Sequence, residues 1–122
     1  MRKITYVNNA AKRAVRDLPK HIAIDFLNDL NFVAAGKSPR SAFKPLQSIG
    51  PGVIELIENG SPAYRLVYCA KHGDTVYVLH AFTKTTNGVD RAAMRTVQAR
   101  FTEMMAIVKD AEKAANKPGQ PR

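Results

Sequence analysis

Residues 63–84 read AYRLVYCAKHGDTVYVLHAFTK, and the fold turns on that stretch. Two runs rich in Val, Tyr and Leu flank His72-Gly73-Asp74. β-branched and aromatic residues fit strands, and Gly73 with Asp74 supplies turn chemistry, so the stretch reads as a β-hairpin. Arg65 sits early in the first strand; His80 and Lys84 sit late in the second. In an antiparallel pair the start of one strand lies beside the end of the other, which makes Arg65 a neighbour of the His80–Lys84 segment. A guanidinium beside an ammonium and an imidazole, in a basic chain, points to a phosphate site.

Upstream, Val53 to Glu58 alternates apolar and polar residues and reads as a further strand, turning at Asn59-Gly60 into the hairpin. Three successive strands joined by short turns make an antiparallel meander. Before them, Lys37 to Gly52 is the least regular part. With Lys37, Arg40 and Lys44 it reads as a basic loop. Met1 to Val7 reads as a short strand ending at Asn8-Asn9, residues suited to cap a helix over Ala10 to Leu18. Pro19 fits the first turn of a second helix, Lys20 to Val33, whose Ile22, Phe26, Leu30 and Val33 share one face. Gly36 is a suitable stop. The two helices read as a hairpin lying on the sheet.

Downstream, Thr85-Thr86-Asn87-Gly88 is a polar turn, and Asp90 can cap a long final helix over Arg91 to Ala114. Met94, Val97, Phe101, Met104 and Val108 mark its buried stripe, while Arg91, Arg95 and Gln98 lie on another face. Asn116 to Arg122, with two Pro and one Gly, reads as a disordered tail. The residues alone therefore give an α+β class, with one domain over 1–115.

The 122 residues carry 19 Lys and Arg against 10 Asp and Glu, a net charge of +9. So strong an excess favours a polyanion or an acidic protein partner, with plain solubility as the bland alternative. No apolar run approaches a membrane span and no signal-peptide core opens the chain, so the cytoplasm is the expected compartment. Cys69 has no partner for a disulfide and reads as a small buried side chain. Zinc-ligand spacing, a P-loop and a dinucleotide-binding glycine fingerprint are all missing, so no metal or cofactor is expected.

One reaction suits a site made mainly of cations. The 2′-hydroxyl of RNA can attack the adjacent phosphate, given a base, a donor near the leaving oxygen and positive charge around the phosphorane. Arg65 and Lys84 can supply the charge. Lys84, His80 or Tyr68 can serve in proton transfer. Glu55, on the neighbouring strand, reads as a base or as a salt-bridge partner of Arg65. His80 reads equally as a core histidine, and Arg65 as a solvated strand charge. Lys37, Arg40, Lys44, Lys71, Arg91 and Arg95 are the candidate nucleic-acid contacts.

The blocks Gly52-Val53-Ile54-Glu55-Leu56, Tyr64-Arg65-Leu66-Val67-Tyr68, Val78-Leu79-His80-Ala81-Phe82-Thr83-Lys84 and Ala99-Arg100 resemble, in order, those of phage-derived HigB-like toxins of the RelE/ParE superfamily. The resemblance implies a RelE-like fold: an N-terminal helical hairpin packed on a small, mostly antiparallel sheet, with a C-terminal helix. It implies a toxin of a type II toxin–antitoxin system that cleaves messenger RNA on the ribosome and is neutralised by a cognate antitoxin. Carried over by position, Arg65 matches the strand arginine that contacts phosphate, and Lys84 the basic residue closing the last strand. The chain departs from the pattern at Thr85, where a second lysine is common, and at Asn87-Gly88-Val89-Asp90. It also lacks a tyrosine at the start of the final helix. The rival readings are a ParE-like toxin that binds a protein such as a topoisomerase, and a nucleic-acid-binding module without catalysis.

Overall fold

The computed structural model describes residues 1–115; the expected tail, Asn116 to Arg122, lies outside the described residues. The elements run β1 (Lys3–Tyr6), α1 (Asn9–Arg16), α2 (Lys20–Ala34), β2 (Ala42–Pro45), β3 (Val53–Glu58), β4 (Ala63–Cys69), β5 (Thr75–Lys84) and α3 (Arg91–Ala115). The strands form one sheet in the order β1-β5-β4-β3-β2. β2 through β5 pair antiparallel, and β1 joins the free edge of β5 in parallel. The class is α+β, with a mostly antiparallel sheet.

The local signals act where they stand. Asn8 caps α1, its side-chain oxygen accepting from the Ala11 N–H at 2.8 Å. Its amide also donates to Glu103 of α3 at 2.9 Å. Gly36, at φ 80°, takes the left-handed turn that ends α2. Asp90 caps α3 through the Ala93 N–H. One expectation changes: the stretch read as a basic loop contains β2, an exposed edge strand in which Lys44 lies opposite Glu55. It pairs with β3 across the irregular connection 46–52 rather than a tight turn, so its sequence carries no hairpin signal.

A core lies on each face of the sheet. On one, Ile22, Phe26, Leu30 and Val33 of α2 pack on Leu56, Leu66, Tyr68, Val76 and Val78. On the other, Val97, Met104 and Val108 of α3 pack on Val53, Val67, Cys69, Tyr77 and Leu79. Helix α1 serves both, Val15 entering the first cluster and Ala11 the second. The inner strands β3 and β4 therefore show the two-residue alternation of a sheet buried on both sides. None of the described helices is long and apolar enough to cross a membrane.

Candidate functional site

The α3 face carries a group of charges at the far end of strands β3 to β5. Alternation sends Glu55 to the same face as Val53, and Arg65 to the same face as Val67 and Cys69. Arg65 lies opposite Phe82, and Ala63 opposite Lys84, so the hairpin register brings Arg65 beside the end of β5. Lys44, Glu55, Arg65 and Lys84 line one open cleft of about 420 Å³. Asp90 and the apolar groups of Leu46, Phe82, Val89 and Met94 complete its walls. Its loop wall depends on Gly50: a Cβ there would stand 2.4 Å from the Phe101 ring. A side chain at this position would have to displace the Phe101 ring for the loop before β3 to lie against α3.

Arg65 is not a solvated strand charge. It is only 8% exposed. Its Nη1 donates to the Tyr64 carbonyl at 2.9 Å and its Nη2 to Asn59 Oδ1 at 3.2 Å. Its Nε stands 3.7 Å from Glu55 Oε1, an ion pair longer than a hydrogen bond, and makes no hydrogen bond with the described residues. Lys44 Nζ approaches the same oxygen at 3.7 Å. Glu55 thus sits buried between two cations. Lys84 is half-exposed, its Nζ donating to the Thr86 carbonyl at 2.6 Å.

His80 reaches this face through an irregularity. Val67 pairs with His80 but Tyr68 pairs with Val78, which leaves Leu79 as an extra residue. Such a bulge turns two consecutive side chains to one side. Leu79 enters the α3 core, and His80 follows it to stack on Phe82 at 5.4 Å. Arg100 of α3 reaches both residues, at 3.1 Å from the Leu79 carbonyl and 2.9 Å from His80 Nδ1. A guanidinium can only donate, so Nδ1 is the acceptor and the neutral ring carries its proton on Nε2. Burial, then the charge of Arg100, hold the His80 pKa down to about 4. The imidazole is neutral at pH 7 and is tied to α3 rather than to the cleft lining.

Tyr68 is placed apart from the group. It belongs to the α2-side core, on the opposite face from Arg65. Burial, followed by the nearby Asp29 charge, raises its pKa to about 12. A proton-transfer partnership between Tyr68 and the cleft is therefore corrected by strand alternation: adjacent positions face opposite ways. Lys37 and Arg40 also lie elsewhere, lining a hollow beside α2 with Asp25, Asp29 and Glu58. There the buried Asp29 carboxylate accepts from the Arg40 and Ser41 N–H groups. Lys71 is exposed, its side chain against Gly52. Arg91 and Arg95 are exposed on the first turns of α3, close in sequence to the cleft residues Asp90 and Met94. Arg100 is the contributor that residue types alone passed over. Its position four residues before the buried Met104 gives no sign that it reaches a strand carbonyl and an imidazole.

Comparison with known proteins gives a family. The model of the family described as phage derived protein Gp49-like matches residues 13–102. Among solved structures, the chain is similar to one from the toxin–antitoxin complex RelBE2 of Mycobacterium tuberculosis, at 22% identity and a TM-score of 0.44. That alignment covers 70% of this chain and 93% of the other. No curated protein matches.

Proposed function

The chain belongs to the phage-derived Gp49-like family, and from that premise we propose that it is the toxin of a type II toxin–antitoxin pair. Its activity is metal-independent cleavage of messenger RNA on the ribosome, in the cytoplasm, and a cognate antitoxin restrains it. The observation that carries this reading is the cleft in which Arg65 and Lys84 stand together beside Lys44 and Glu55. The net +9 of the chain supports a polyanionic substrate, and the block pattern in Arg65 to Lys84 supports the toxin assignment.

In the reaction, the 2′-hydroxyl oxygen attacks the adjacent phosphorus and the bond from phosphorus to the 5′-oxygen breaks. The products are a 2′,3′-cyclic phosphate and a 5′-hydroxyl. Arg65 and Lys84 stabilise the extra negative charge of the phosphorane, the largest service a fixed array of cations can give. Glu55 holds Arg65 by their ion pair and, in this reading, takes the 2′-hydroxyl proton. The Lys84 ammonium, at the cleft rim, is placed to donate to the leaving 5′-oxygen. His80 has a positioning role: through Arg100 and Phe82 it joins β5 to α3. Lys44, Arg91 and Arg95 hold flanking phosphates.

The test is growth arrest on induction, paired with primer-extension mapping of cut sites on translated messages. Wild-type protein is expected to arrest growth and cut; Lys84→Ala is expected to do neither. Arrest without cutting would overturn the nuclease reading. One observation favours a second reading in that event, the binding of a protein target such as a topoisomerase: three of the five Arg65 N–H donors are already directed to Tyr64, Glu58 and Asn59.

A further inference from the structure

Arg65 and Lys84 do not line one hollow but two. The first is the cleft already described. The second, of about 490 Å³, opens at the end of the sheet between the β3–β4 turn and the segment after β5. Its walls include Asn59, Ser61, Thr85, Thr86 and Asn87, with Arg65 and Lys84 again in the lining. The two cations therefore stand on the boundary between a hollow with charged and apolar walls and a hollow with amide and hydroxyl walls. Each volume lies in the range of small-ligand sites.

We propose that this second hollow is a nucleobase pocket, and that Asn87 and Thr85 set the sequence preference of cleavage. The proposal rests on the ribonuclease reading and deepens it. A phosphate held at Arg65 and Lys84 has a nucleotide on each side, and those nucleotides then fall into the two hollows. On the apolar side, Phe82, Val89 and Met94 offer surfaces for a base face. Val89 is 71% exposed and so open to such contact. Contact of this kind accepts every base, because every base has a π-face. On the polar side, side-chain amides and hydroxyls can pair with the donor and acceptor pattern of a base edge, which differs between bases. Thr85, Thr86 and Asn87 are exposed, and the Thr85 and Asn87 side chains have no hydrogen-bond partner among the described residues.

The same two segments also hold the cations. Asn59 accepts from Arg65, and the Thr86 carbonyl accepts from Lys84. A base entering this hollow therefore meets groups already joined to the phosphate-binding pair. Asn59 is thus a positioning residue and unsuited to a test of base choice. Asn87 and Thr85 hydrogen-bond neither cation among the described residues and isolate the base-reading role.

The experiment uses the full chain, translating ribosomes and a message randomised around the cut site. A second arm measures binding of short RNA oligonucleotides that differ in one base and carry a 2′-deoxy group at the reacting nucleotide. Asn87→Ala combined with Thr85→Val is expected to spread cutting over more sites and to flatten binding preference by roughly three- to tenfold, the loss of a hydrogen bond or two. Cutting by this variant should still require Lys84. If wild type cuts, Lys84→Ala does not, and the double variant keeps the wild-type cut-site distribution, the base pocket is overturned while the ribonuclease reading stands. If Val89→Ala broadens cutting and the double variant does not, base choice belongs to the apolar hollow and the proposal is again overturned. Intact messages with wild-type protein would remove both readings together.

Discussion

On the α2 side of the sheet, Leu56, Leu66, Tyr68, Val76, Val78 and Ala81 meet the apolar stripe of α2, and the charges of that side, Asp29 and Glu58, stand at the hollow beside the helix. On the α3 side, the packing of Val97, Met104 and Val108 holds Val53, Val67, Cys69 and Leu79, and the same strands then continue to Glu55, Arg65 and Lys84. Three strands thus serve a closed core on one face and a core plus a charged cleft on the other. The difference shows how a small domain can tolerate a buried arginine beside a buried glutamate. The larger apolar core of the α2 face supplies stability, and the desolvation of the ion pair on the other is offset by carbonyls, by Asn59 and by a second cation.

The comparison breaks hardest on the closed side. Phe26 is 1% exposed, and Phe26→Ala should cost about 3–5 kcal/mol through lost transfer energy and a cavity. Denaturant titration checks this, and whatever protein remains folded should cut RNA normally. Arg65→Ala probes the other side. It should cost roughly 3 kcal/mol of stability, because it leaves Glu55 buried with Lys44 alone, and it should also abolish cutting. A melt that barely moves would show that the Arg65 network is no part of the fold. Lys84→Ala separates the two effects, with cleavage falling on the order of 100-fold while the melting temperature stays within a degree or two. Single-turnover rates on ribosome-bound message measure the first effect, and calorimetry the second.

A pH titration sharpens the contrast further. The folded His80 pKa of about 4 lies below the unfolded value of 6.5. Between these values the unfolded chain binds a proton that the folded protein does not, so stability falls as pH drops from about 6.5 to 4 and is fully present above 6.5. The loss is roughly 3 kcal/mol at most, less as the structure relaxes around the charge. Unfolding free energies across that window should lose most of this slope in His80→Gln. The smallest effect belongs to Cys69, fully buried in the α3-side core. Cys69→Ala should cost about 1 kcal/mol by vacating volume and leave cutting unchanged, as a paired melt and cleavage assay will show.

Much of this was legible in the residues. The Val- and Tyr-rich runs around Gly73, the caps at Asn8 and Asp90, and the periodic apolar faces of α2 and α3 are short-range signals, and short-range geometry answers them. The nearness of Arg65 to Lys84 followed from antiparallel pairing alone. Four features came only with the tertiary structure. Strand β2 forms by pairing with β3 across the loop 46–52, and the parallel β1–β5 pair forms because a strand distant in sequence offers a free edge. The bulge at Leu79 turns His80 toward α3 against simple alternation. Strand alternation relative to the two helix layers decides that Tyr68 and Arg65 face opposite ways. Arg100 reaches His80 and the Leu79 carbonyl only because α3 docks across β5. Residue type and spacing set which side chains a strand offers; which face each one meets depends on register and on the helix that covers it, and those are settled by packing across the whole chain.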